Sequence, residues 1–142
     1  EDAFIVKAAV SGTPITVPDV DYPIEIIYVE DEARAFVTAA LADSLPHDRY
    51  VIGTGEQATL ADVVAAVREE VPNADLTVAD VENDDQLLRR AASDSSRIRE
   101  DLGWEPEYSL REAISAYVQW LRDNPDAWSF DAADVPWDAA VE

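Results

Sequence analysis

Between Asp94 and Ile114 the chain reads DSSRIREDLGWEPEYSLREAI, and this run constrains the fold more than any other stretch. Asp94 is placed to cap a short helix, and Gly103 supplies the residue that ends it. Pro106 blocks continuation because it has no amide to donate. Ser109 with Glu112 three residues later is a capping box that opens a second helix. In that helix Leu110, Ala113, Ile114, Tyr117, Val118 and Leu121 recur at helical spacing and predict a core-facing stripe. Trp104, between the stop and the next start, is expected to pack inside. All of this is architecture, and none of it places a catalytic atom.

The 142 residues, 48% of them hydrophobic, suffice for one domain with a core. Ala3 to Val10 reads as a helix tail ended by SGTP, ITV as a short strand, and PDVDYP as a turn. IEIIYV predicts a second strand that runs into a helix over about Glu30 to Ala42. There Ala33, Phe36, Val37, Ala40 and Leu41 share one face, expected to pack on the core, with the acids and Arg34 on the other. RYVIGTG reads as a buried strand ending in a glycine turn. Thr59 with Asp62 is a capping box for a helix whose core stripe is Leu60, Val63, Val64 and Val67. PNADLTV predicts another strand, and ADVENDDQ a mobile polar loop. The division is a domain over residues 1–124 and an acidic, aromatic-containing tail over 125–142. In that tail Trp128, Phe130 and Trp137 are expected to dock on the chain's own surface, with a partner contact as the alternative. The fold class is mixed α/β.

Thirty-one acidic residues against one lysine and nine arginines leave a net charge of −21. Such a surface repels nucleic acid and anionic membranes, and it repels itself, so folding should gain from salt. The near absence of lysine favours a salt-adapted, halophile-type surface over an ordinary acidic protein or a mimic of nucleic acid. No apolar run approaches the roughly 20 residues of a membrane span, and no basic-then-apolar leader opens the chain. The default expectation is a soluble, cytoplasmic protein whose residue 1, which is not Met, is not a native start. The lack of cysteine excludes disulfides, thiolate metal sites and a cysteine nucleophile.

Candidate chemistry is sparse. His47, the single histidine, reads as a solvated loop residue, and without cysteine it makes no zinc constellation. Carboxylate pairs such as Glu30 and Asp31, or Asp84 and Asp85, are what an acidic surface produces by chance. GTGEQAT matches neither the P-loop nor G-x-G-x-x-G and reads as a tight turn. Ser11, Ser44 and the other serines lack a histidine partner or a G-x-S-x-G elbow. Arg89 and Arg90 stand out in a cation-poor chain, as surface ion pairs or as an anion-binding fork.

Four segments, SGTPITVPDVDYP, IIYVEDEARAFVTAAL, YVIGTGEQATLADVVAAV and DSSRIREDLGWEPEYSLREAISAYVQWL, together resemble the C-terminal portion of extended short-chain dehydrogenase/reductases. Within that family the likeness is to the NAD-dependent nucleotide-sugar epimerases and dehydratases, such as UDP-glucose 4-epimerases. The resemblance implies an N-terminal part that binds NAD through a glycine-rich Rossmann turn and carries a Tyr-x-x-x-Lys pair. Neither signature occurs here: Lys7, the only lysine, has Ala3 four residues before it. The implication is a substrate-binding portion, inactive alone, with NAD held by the missing Rossmann portion and none bound in this chain. Its implied partners are a nucleotide-sugar substrate and that Rossmann portion of the same polypeptide, whose helices would form a homodimer. By the same resemblance Thr16, Val17 and Pro18 correspond to the segment contacting the nucleotide base, and Arg90 to an arginine that grips the diphosphate. The chain departs from those epimerases at Ile24 and Glu25, where they carry a second phosphate arginine, and at Tyr28, which replaces a histidine. A carboxylate at Glu25 would repel a diphosphate unless a cation intervened. Two other functions stay open: another NAD(P)-dependent reductase of the family, and a stand-alone acidic interaction module.

Overall fold

A computed structural model describes residues 2–19, 23–80 and 91–135. Among these, five helices and one pair of parallel strands form a mixed α/β arrangement, as expected. Helix α1 spans Asp2–Ser11, strand β1 Ile15–Asp19, helix α2 Val29–Leu41, helix α3 Leu60–Glu70 and strand β2 Leu76–Asp80. Helix α4 (Ser96–Leu102) and helix α5 (Leu110–Asp123) follow, then two single 3-10 turns at Pro125–Ala127 and Ala132–Asp134. The strands pair from Ile15 opposite Leu76 to Asp19 opposite Asp80.

Local signals set the helix ends. In α3 the Thr59 hydroxyl accepts the Asp62 N–H at 3.1 Å while the Asp62 carboxylate accepts the Thr59 N–H at 2.8 Å. The same reciprocal box opens α5 between Ser109 and Glu112. Each box satisfies two amides that the helix itself cannot. The Asp94 carboxylate accepts the Ser96 N–H at 3.0 Å at the start of α4. Gly103 ends that helix in the left-handed region at φ +66°, where a side chain would crowd the backbone.

The main core lies between α1, α3, α5 and the inward face of the strands. Ile5, Ile15, Val17, Val63, Val67, Val118 and Leu121 are completely enclosed or nearly so. Leu60, Val63, Val64 and Val67 all bury, as their spacing predicts. On α5, Ala113, Ile114, Val118 and Leu121 bury, while Leu110 and Tyr117 are only partly covered. Trp128 and Phe130 pack against this core, and the Trp128 indole donates to the Leu121 carbonyl at 2.9 Å. Trp137 lies outside the described residues. So do residues 81–86 of the expected polar loop, whose first two residues end β2.

Three expectations are corrected. IEIIYV forms no ladder, and its last residue, Val29, already opens α2; its described pairing is one antiparallel bridge between Ile24 and Ala58. RYVIGTG is not a buried strand, and Val51 is half-exposed; beyond the Ile24–Ala58 bridge, neither segment joins a ladder among the described residues. The third concerns α2. Its predicted core face, with Phe36, Val37 and Leu41, points to water, while Asp31 and Ala35 are buried on the other side. Ala35, Ile98 and Trp104 form a second, smaller core, with Ile27, Tyr50, Ile52 and Leu102 around it. Polar pairing makes this orientation possible: Asp31 meets donors there that water would otherwise supply. No described helix is long and apolar enough to cross a membrane.

Candidate functional site

Strand β1 carries three residues expected at a binding site. Alternation along the strand sends the Val17 side chain into the main core, fully buried, and leaves Thr16 and Pro18 half-buried on the opposite face. They stand in register with Thr77 and Ala79 of β2. A ligand at this strand would therefore meet Thr16, Pro18 and backbone, with Val17 serving as ballast behind. Arg89 and Arg90 lie outside the described residues.

Glu25 has an internal task. Its carboxylate accepts the Gly55 N–H at 2.8 Å and the Ser93 N–H at 2.6 Å, and lies 3.4 Å from the Thr54 hydroxyl. It thereby ties the segment before α2 to the glycine turn and to the stretch entering α4. Burial pushes this carboxyl up, but the hydrogen bonds from Gly55 and Ser93 outweigh it and hold the pKa below the usual glutamate value. Gly53 is required by the same knot, since a Cβ there would sit 2.5 Å from Ser93 Cβ and closer still to the Glu25 carboxylate. The glycine turn is thus occupied by the chain's own carboxylate. Another anion at the Gly55 amide would have to displace that like charge.

Three hollows follow residues 26–30. One of about 450 Å³ lies between the glycine turn and the start of α5, with Ile26, Thr54, Gln57, Asp62, Tyr108 and Arg111 on its walls. A small apolar one, about 170 Å³, shares Ile26 with the first and reaches Tyr28, Val29 and Tyr117. The third, about 380 Å³, shares Tyr28, Val29 and Tyr117 with the second and adds Lys7, Glu30, Trp120 and Trp128. Tyr117 and Trp120 are stacked at 6.3 Å, and Tyr28 lies 4.6 Å from Tyr108, centroid to centroid. In the third hollow, aromatic faces stand beside one cation, Lys7, and one carboxylate, Glu30, a combination that suits a polar ring.

The phenols in this region are poor proton shuttles at neutral pH. The hydrogen bond that Tyr108 donates to Glu30 at 2.6 Å, with burial and the Glu30 charge, pushes the Tyr108 pKa up to about 12. Burial and Glu30 raise Tyr28, and burial raises Tyr117. At neutral pH these phenols keep their protons and act as hydrogen-bond donors. Among the described residues no group of three His, Cys, Asp or Glu could hold a metal ion.

Two polar clusters went unnoticed in the sequence. Asp31 is entirely enclosed and accepts the N–H groups of Glu107 at 2.9 Å and Tyr108 at 3.1 Å, together with Arg34 at 2.6 Å. His47, read as simply solvated, faces Asp101 at 2.7 Å, and Tyr50 donates to the same oxygen at 3.0 Å. The His47 hydrogen bond is the main cause of a lowered Asp101 pKa. Both join residues more than fifty positions apart, which no local spacing reports.

No family model matches the chain. It is 31% identical over 116 residues to the dTDP-glucose 4,6-dehydratase of Escherichia coli, covering 72% of this chain and 31% of that protein. Its fold matches a UDP-glucose 4-epimerase with UDP-glucose from Thermotoga maritima at a TM-score of 0.74, with 24% identity, over 87% of this chain and 40% of that one. The UDP-glucose 4-epimerase of Thermus thermophilus, in complex with NAD, matches at 0.71 with 27% identity, over 85% and 39%. The chain therefore spans about a third of the length of the curated relatives it matches. Taken with the fold, these likenesses show that the chain belongs to the extended short-chain dehydrogenase/reductase family, matching the C-terminal part of its nucleotide-sugar epimerases and dehydratases.

Proposed function

We propose that residues 1–124, followed by the acidic tail 125–142, are the substrate-binding part of an NAD-dependent nucleotide-sugar epimerase or dehydratase. The observation that carries this reading is the kinship itself: most of the chain follows the C-terminal part of enzymes named for dTDP-glucose and UDP-glucose. The outer face of β1, at Thr16 and Pro18, receives the base, and Arg90 meets the diphosphate as a fork of donors. Holding both ends of the nucleotide fixes where the sugar carbon lies, which turns a two-body encounter into a positioned one. NAD, held by a portion outside this chain, supplies the hydride chemistry. The engagement of the Gly55 amide by Glu25 supports that division, and the upward-shifted phenols support placing the proton-transfer groups elsewhere.

Calorimetry of the intact cytoplasmic polypeptide with UDP-, dTDP- and GDP-sugars, in high salt, tests the reading. One of the three should bind, and Arg90→Ala should weaken it by tenfold or more, since a charge-assisted hydrogen bond contributes about 1.5–3 kcal/mol. Binding of none of them, with Arg90→Ala silent, would sink the substrate assignment.

A further inference from the structure

Lys7 is the only lysine in a chain with 31 acidic residues, yet among the described residues it makes neither an ion pair nor a hydrogen bond. It is partly buried on α1 and lines the hollow of about 380 Å³. Glu30 stands in the same wall, and one of its oxygens accepts the Tyr108 hydroxyl at 2.6 Å. Among the described residues its other oxygen is left for a further donor. The hollow therefore offers a cation and a carboxylate, both with bonding capacity to spare, beside aromatic side chains. Tyr117 and Trp120 lie in nearly parallel planes, 20° apart, and Trp120 is 44% exposed.

The small apolar hollow, about 170 Å³, adjoins this one along Tyr28, Val29 and Tyr117 and is closed by Val6, Ile26 and Ile114. An apolar cavity of about 150 Å³ takes up benzene, so this volume admits one branched or aromatic side chain. A polar ring alone would rest on the aromatic faces but leave the apolar hollow unused. A simple anion would meet Glu30 and the net charge of −21, and a simple cation would meet Lys7. A zwitterion with an apolar side chain engages every one of these groups. We propose that the two hollows together bind a free α-amino acid with a branched or aromatic side chain. Its carboxylate meets Lys7, its ammonium meets Glu30, and its side chain enters the apolar hollow past Tyr28 and Tyr117. Because such a ligand is neutral overall, the acidic surface does not repel it. No residue of β1 lines either hollow, so the site is separate from the face proposed for the nucleotide and does not depend on that reading.

The test titrates L-phenylalanine into the intact polypeptide and follows the indole N–H signal of Trp120 by NMR, the signal being identified by its loss in Trp120→Phe. A Kd of about 1 mM is expected for a ligand of this size. L-Phenylalaninamide lacks the carboxylate and N-acetyl-L-phenylalanine lacks the ammonium. Each should bind at least about fivefold more weakly, because one partly exposed charge-assisted hydrogen bond is lost. Lys7→Gln should erase the difference between phenylalanine and its amide, and Glu30→Gln the difference between phenylalanine and its N-acetyl derivative. Equal binding of the three compounds to the parent protein would overturn the proposal without recourse to any variant. So would the absence of any shift with phenylalanine or leucine at about twenty times the expected Kd. Saturating UDP-glucose should leave the phenylalanine affinity unchanged. Displacement by it would place phenylalanine in the nucleotide-sugar site and overturn the proposal, as would tighter binding of methyl β-D-glucoside than of phenylalanine.

Discussion

The carboxylate of Asp31, on the first turn of α2, accepts the backbone N–H of Tyr108 at 3.1 Å across 77 residues of sequence, and its other oxygen accepts that of Glu107 at 2.9 Å. The backbone of Asp31 is used as well, its carbonyl accepting the Trp104 indole N–H at 3.1 Å. Arg34 adds a hydrogen bond to the Glu105 carbonyl at 2.7 Å and an ion pair with Glu107 at 3.0 Å. One turn of helix thus holds the whole segment between α4 and α5, and with it the start of the α5 capping box.

Asp31→Ala should therefore destabilise the chain by about 3 kcal/mol, because it strands two amides and the Arg34 charge beside the second core. Asp31→Asn, which keeps one accepting oxygen, should fall between it and the parent. Urea titration followed by far-ultraviolet circular dichroism in high salt measures both, and a loss within about 0.5 kcal/mol, the usual range for a surface substitution, would contradict the role.

Gly53→Ala should cost about 1–3 kcal/mol, the usual range for overpacking, because neither Ser93 Cβ nor the Glu25 carboxylate can retreat without breaking the knot. Gly103→Ala should cost about 1–2 kcal/mol for a different reason, the left-handed backbone. Combining Gly53→Ala with Glu25→Ala separates sterics from backbone effects. The paired variant should lose less than the sum of the singles.

The Glu25 carboxyl titrates below its ordinary value when folded, so the unfolded chain binds its proton first as pH falls. Its contribution is present in full above the unfolded glutamate value and disappears as pH drops through the lower folded value. Glu25→Gln should be less stable than the parent at pH 7, and the gap should narrow steadily below about pH 4.5. Denaturation midpoints at pH 7, 5, 4 and 3 would show this, and a gap that widens in acid would refute it.

Raising potassium chloride from about 0.1 M to 1 M shortens the Debye length from about 10 Å to 3 Å. With a net charge of −21, the melting temperature should rise steeply over that range. Substituting four exposed carboxylates by glutamine should flatten the slope. A melting temperature indifferent to salt would remove the halophile-type reading of the surface.

The helix termini were legible because their interactions are local. Thr59 with Asp62, Ser109 with Glu112, and Gly103 after α4 each act within one turn, and the structure places all of them as their spacing predicts. The β1 and β2 segments were legible as strands, though not their parallel partnership. IEIIYV and RYVIGTG carry strand-like composition, yet beyond the single Ile24–Ala58 bridge neither joins a ladder among the described residues, and composition cannot report a missing ladder partner. On β1 the family resemblance singled out Thr16, Val17 and Pro18 alike, and only the fold shows that Val17 turns inward.

By itself, then, the sequence determined the helices and their caps, the stripes of α3 and α5, the charge, and the kinship carried by the Asp94 to Ile114 run. Tertiary structure decided which face of α2 is covered, what Glu25 and Asp31 are for, and where the aromatic hollows open. The physical reason is range: a cap or stripe is settled within a few residues, whereas a buried carboxylate is settled by donors 68 to 77 positions away, which exist for it only once the chain has folded.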